Sequence, residues 1–252
     1  MYLYRSKYHH TNLLERIHFR MRGQPRGQSF VELMLVVLIL ALILAGMVEF
    51  GFLLNNYLYV LDGAREAARI SNTDFAFNQV TQNPRPEFYY AAAEEATNTI
   101  APMRLDPSRG DDIIISVYGV AGTTIVQYPG STRWSLCANY SALVNYFWTK
   151  DPSHPADQLQ SVPPSLADAN WYSCPTPLKV SHFSSSNIQS ITSQVSGAPN
   201  AGILVVEIFY NYPQLLKLPV LTSILPDPIP LYVYTIMPIS SAEPTVVPIQ
   251  AP

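Results

Sequence analysis

The chain is short of charge and of cysteine. Charged residues make up 13% of its 252 positions and the formal net charge is −3. Such a balance gives no support for nucleic-acid binding, which wants a clustered basic face. Two cysteines, Cys137 and Cys174, leave room for one disulfide at most. Enzyme signatures are missing too: there is no Gly-x-Ser-x-Gly, no phosphate-cradling glycine loop and no His-Glu-x-x-His. His9, His10 and His18 have no acidic or cysteine partners at ligand spacing, so they predict no metal site. His154 and His182 stand in proline- or serine-rich stretches, and Asp151, Asp157 and Asp168 form no constellation with them. These are read as surface loop residues. The sequence therefore predicts no enzyme, no metal and no cofactor.

Proline is nearly absent from the first third of the chain: only Pro25 of the 22 precedes residue 81. That gap is filled by an apolar run. From Leu33 to Val48 there is no charged or polar side chain; Glu49 interrupts, and Phe50-Gly51-Phe52-Leu53-Leu54 resumes. As a helix, Leu33 to Leu54 spans roughly 33 Å, enough for a bilayer core of about 30 Å. It contains no proline, so nothing covalent prevents one continuous helix. Residues 1–27 carry Arg5, Lys7, Arg16, Arg20, Arg22 and Arg26 against Glu15, a local +5 that leaves −8 for the remainder. By the positive-inside tendency the N-terminus is cytoplasmic and the bulk of the chain lies outside. A cleavable secretory signal fits less well, because the run and its leader are long and no small-x-small site follows the run before Glu49. The expectation is a retained single-pass helix in the cytoplasmic (inner) membrane.

Beyond Leu54 the helix is expected to continue to Ile70. Tyr57 and Tyr59 fall where an aromatic belt belongs. Asp62, Arg65, Glu66 and Arg69 share one side, available for helix–helix or interface contacts, with Leu61, Ala64, Ala67 and Ala68 opposite. A second helix is predicted over 87–101, its Tyr90, Ala93, Ala96 and Ile100 packing on a sheet. Strands are predicted over 112–120 and 123–128, joined as a hairpin through Ala121-Gly122, then over 202–212 and 231–238. Between them, 129–200 dissolves into an irregular inserted lobe holding Trp134, Trp148, Trp171 and both cysteines. In an oxidising compartment the even cysteine count suggests a bridge worth roughly 3–4 kcal/mol; two free thiols are the other reading. The predicted class is α+β. Residues 1–27 form a basic leader, 28–70 a membrane-spanning and stalk helix, and 71–252 an extracytoplasmic domain with a small antiparallel sheet.

The mouth of the apolar run reads Arg26-Gly27-Gln28-Ser29-Phe30-Val31-Glu32, a glycine, four residues, then a glutamate. A plain anchor has no need of a carboxylate there, where it costs a few kcal/mol. The pattern resembles the processing site of type IV prepilins. Together with Gly46-Met47-Val48-Glu49-Phe50-Gly51, Asp62-Gly63-Ala64-Arg65-Glu66-Ala67-Ala68-Arg69 and the late Tyr210-Asn211-Tyr212-Pro213, the chain resembles the TadE-like minor prepilins (pseudopilins) of tight-adherence pilus systems.

That resemblance implies cleavage between Gly27 and Gln28 by a prepilin peptidase, and an assembly role for Glu32. Glu49 would lie near the outer interface, reaching water or a neighbouring subunit, or anchoring the helix there. It implies as partners other pilin or pseudopilin subunits, the inner-membrane assembly platform and membrane lipid, with incorporation in a pilus for surface attachment. The rival is an unprocessed single-span adhesin or binding module, for which the helix is only a tether.

Overall fold

A 43-residue helix, α1 (Gln28–Ile70), begins where the sequence first drops its breakers and turns apolar. The computed structural model describes residues 27–70, 86–127, 134–140, 166, 170–194 and 201–239. The leader, Trp148, His154 and Asp151, Asp157 and Asp168 lie outside them. The chain divides into two compact units, Met1–Val48 and Glu49–Pro252, so the boundary falls within α1.

In the first unit the large apolar side chains of α1, from Phe30 to Val48, stand 44–71% exposed. A helix apolar on all sides belongs in lipid, since water would penalise every face. This one is long and apolar enough to cross a membrane.

In the second unit the same helix acquires an inward face. Val60, Ala64, Ala67 and Ala68 are fully buried, at the three- and four-residue spacing of one helical stripe. Against it packs α2 (Pro86–Thr99), whose proline occupies the first helical position, where no amide is missed. Its Tyr90, Ala93 and Ala96 are buried, as is Ile100 just beyond it.

Both helices cover one face of an antiparallel sheet built from β1 (Asp112–Ala121), β2 (Thr124–Gln127), β3 (Trp134–Ser135), β4 (Ala201–Tyr212) and β5 (Ile229–Ile239). The strand order is β2-β1-β4-β5, with β3 paired to β1 at Ile114 and Ile115. Gly122, at φ 59°, supplies the left-handed turn between β1 and β2. The β1–β4 ladder runs from Asp112↔Phe209 to Val120↔Ala201, and β4–β5 from Gly202↔Ile239 to Tyr212↔Ile229. Ile113, Ile115, Val117, Leu204, Val206, Ile208, Tyr210 and Val233 feed the core beneath the helices. The opposite face carries Tyr118, Val205, Glu207, Phe209 and Tyr232.

The described parts of 129–200 join this same body. Trp134 and Trp171 are buried in the main core, with Trp134 stacked on Tyr89 at 6.0 Å. A short helix, α3 (Ser185–Thr192), is capped by the Ser184 hydroxyl and buries Ile188 beside Tyr118 and Val205. Cys137 and Cys174 are joined by a disulfide. The β4–β5 connection includes one helical turn, α4 (Pro219–Thr222). β1 is buried along nearly its whole length because both faces of the sheet are covered there, so it reads as a continuous apolar run.

Candidate functional site

Gly27 opens α1, accepting a hydrogen bond at its carbonyl from Val31 N–H at 3.2 Å, and a side chain there would meet open space. Glu32 lies one turn further, exposed, and has no partner among the described residues.

Glu49 is different. It is 5% exposed, and its carboxylate accepts three hydrogen bonds from the end of β4 and the turn after it. Tyr212 Oη donates to Oε1 at 3.0 Å, Leu215 N–H to Oε1 at 2.8 Å and Leu216 N–H to Oε2 at 2.8 Å. Pro213 stops the strand, which frees the following amides for an acceptor other than a neighbouring strand. Charge-assisted bonds of this kind offset the cost of taking a carboxylate out of water. Burial, and then the bond to Glu49, push the Tyr212 phenol above its ordinary pKa. The sequence leaves Glu49 to reach water or a neighbouring subunit, or to anchor the helix at the interface; in the structure its oxygens bind within their own chain.

The late stretch divides its labour residue by residue. Tyr210 enters the core. Asn211 donates from its backbone to Asp111 Oδ1 at 2.7 Å and from its amide to Arg109 O at 2.7 Å. Asp111 also accepts from Asp106 N–H at 2.7 Å, so one buried carboxylate ties the turn before β1 to β4. Burial raises the Asp111 pKa, while these hydrogen bonds oppose the rise.

Along the rest of α1, Arg65 pairs with Asp62 at 3.5 Å, and Arg69 pairs with Glu66. Both pairs are solvated and worth little each. The physical weight of this block lies on its small residues. A Cβ at Gly63 would stand 2.6 Å from Ile100 Cγ2 and 3.1 Å from the Ala96 carbonyl, so α1 and α2 approach where no side chain intervenes.

Residues 27–69 match the family of TadE-like proteins. The TadE-like segment contains Gly27, Gln28, Glu32, Glu49 and the Asp62–Arg69 block, and it ends before the sheet. No curated protein and no solved structure gives a match. The strap from Glu49 therefore links the TadE-like segment to Tyr212, 163 residues further along.

Glu207 was not foreseen as a special position. It is fully buried mid-strand, where Oε1 accepts from His182 N–H at 2.9 Å and from Tyr232 Oη at 2.8 Å. The lone charge in Gly202-Ile203-Leu204-Val205-Val206-Glu207-Ile208-Phe209 was the available signal. His182 itself packs its ring on Tyr232 at 4.4 Å, so it belongs to the covering of the sheet. Among the described residues no three His, Cys, Asp or Glu side chains gather as a metal site.

Proposed function

We propose that this chain is a minor pilin or pseudopilin of a tight-adherence pilus. In this reading a prepilin peptidase removes the leader between Gly27 and Gln28. The subunit stays in the cytoplasmic membrane, its sheet-bearing unit on the far side, until it joins other pilin subunits at the assembly platform. The observation that carries the reading is the TadE-like match over 27–69, beginning at Gly27 and covering a helix whose stretch from Phe30 to Val48 is exposed and apolar on every side.

The helix offers two carboxylates near its apolar stretch, and they are not equivalent. Glu49 is already satisfied by its own chain, which leaves Glu32 for an intermolecular partner. A new amine at Gln28 of a neighbouring subunit is a fitting one. At about 4 Å that attraction is ~1 kcal/mol in water but ~4 kcal/mol at the effective dielectric of a protein bundle. Assembly in a dry bundle thereby offsets the cost of placing the carboxylate there.

Mass spectrometry of the N-terminus of protein isolated from its natural host tests the reading. The expected mature chain starts at Gln28, and Gly27→Leu leaves the leader attached. A tethered adhesin would retain residues 1–27 in both cases.

A further inference from the structure

The connection between β4 and β5, residues 213–228, is rigidly held yet presents its large apolar side chains to solvent. Leu215, Leu216, Ile224 and Leu225 are 59, 39, 74 and 44% exposed. Three anchors fix the loop. Glu49 takes the Leu215 and Leu216 amides at 2.8 Å. The side chain of Gln214 is buried and donates to Pro226 O at 3.1 Å, and Asp227 accepts from Gln214 N–H at 3.1 Å. Lys217, at φ 45°, takes a left-handed turn that a non-glycine residue adopts only at a cost, and its ammonium reaches Asp227 at 3.5 Å. A loop so well determined would ordinarily turn its leucines inward. Here the polar side chain of Gln214 is buried inside the loop, tied to Asp227 and Pro226, and the apolar ones face out.

The place of attachment indicates what covers them. Glu49 directly follows Val48, the last residue of the uninterrupted apolar run, and it stands 20 residues beyond Ser29. At ~1.5 Å per residue that is ~30 Å of helix, the thickness of a bilayer's hydrocarbon core. Counted from Ser29, the residue gripping the loop falls where a helix along the bilayer normal would leave the hydrocarbon. Phe50 and Phe52, beside it in sequence, are exposed as well.

We infer that the β4–β5 loop lies in the headgroup region of the bilayer that α1 crosses, with Leu215, Leu216, Ile224 and Leu225 immersed. This rests on the reading of α1 as a membrane span. Lys217, 66% exposed at its side chain, is placed to extend toward lipid phosphates while its stem shares the apolar environment. The arrangement also accounts for the strap. With its oxygens occupied by Tyr212, Leu215 and Leu216, Glu49 sits at the hydrocarbon boundary without offering a bare charge to lipid.

The test uses the full chain in vesicles of phosphatidylethanolamine and phosphatidylglycerol, carrying a polarity-sensitive dye on one introduced cysteine. The native pair is disulfide-bonded, so a single new thiol is selective. Dye at Ile224→Cys is compared with dye at Val180→Cys, a 66% exposed position of the same unit, and at Leu40→Cys within the apolar run. The Ile224 probe is expected to be blue-shifted, severalfold less quenched by aqueous iodide than the Val180 probe, and quenched by a nitroxide near the lipid headgroup. Adding Glu49→Ala should return it toward the Val180 behaviour. Equal iodide quenching at both sites overturns the inference. So does shielding from both quenchers, which marks a protein partner such as a second copy. A lipid-quenched Leu40 probe beside a water-exposed Ile224 probe removes the loop's placement alone; a Leu40 probe outside lipid removes the membrane reading with it.

Discussion

Glu49 and Asp112 are both buried carboxylates inside one folded unit, and their environments use them differently. Glu49 gathers donors from a distant turn. Asp112 accepts from the Ser135 hydroxyl at 2.6 Å and from the Cys137 and Ile113 amides at 3.1 and 2.9 Å. Burial nevertheless outweighs those donors and pushes its pKa up from 3.8 to about 6. The native state therefore holds a proton that the unfolded chain has already released between those values. The stability this contributes is full below pH 3.8 and lost as pH rises through about 6, a change of up to roughly 3 kcal/mol. Asp111 is shifted in the same direction and adds to the slope. Asp112→Asn should flatten the dependence of unfolding free energy on pH between ~4 and ~6, read by urea titration of the detergent-solubilised chain. An unchanged slope would show that Asp112 does not carry it. The sequence marked Glu49 as a carboxylate in an awkward place, but not its destination. Tyr212 is too far along the chain for any local pattern to pair them, and Asp112 looked like an ordinary strand opener.

At the scale of elements, the packing of α1 on α2 turns on Gly63. Replacing a mid-helix glycine with alanine normally gains ~1 kcal/mol of helix propensity. Here the added methyl meets Ile100 Cγ2, a branch fixed close to its own backbone, and a main-chain carbonyl, neither of which swings aside easily. Overpacking costs ~1–3 kcal/mol, so the net prediction for Gly63→Ala is a loss of stability. Ser193→Ala, outside that contact, should change little. A lower midpoint for Gly63→Ala in thermal unfolding checks this, and a raised one would mean that the helices part readily. The long helix, the second helix and strands β1, β4 and β5 were all legible, because apolar periodicity and proline punctuation survive without tertiary information. β3 was not. Two residues, Trp134 and Ser135, make no period, and they become a strand only because β1 offers them an edge. Trp171 likewise falls in what the sequence marks as an irregular inserted lobe, yet it is buried in the main core.

For the whole molecule, the reading as a pilus subunit puts Glu32 and Glu49 to opposite uses, one between chains and one within a chain. Glu32→Ala should leave membrane insertion intact, or improve it by removing a cost of a few kcal/mol, while abolishing pilus assembly. Membrane fractionation and electron microscopy of the mutant cells separate those effects, and normal piliation would count heavily against the assignment. The TadE-like segment was legible from the outset because its signals are local: a glycine, a glutamate at the fifth position past the proposed cut, and an unbroken apolar run. What the remaining chain contributes was less so, since its central sheet joins β1 to a strand some 80 residues later in sequence.

That last separation bears on how the protein is made. Synthesis proceeds from the N-terminus, so the carboxylate of Glu49 emerges long before Tyr212, Leu215 and Leu216, the residues that will satisfy it. Until β4 arrives, β1 has no central neighbour and Glu49 has none of its donors. The nascent chain thus passes through an interval of sticky incompleteness that lasts until β4 and the turn after it have emerged. Stop codons upstream of residue 204 should yield aggregating fragments rather than smaller folded ones.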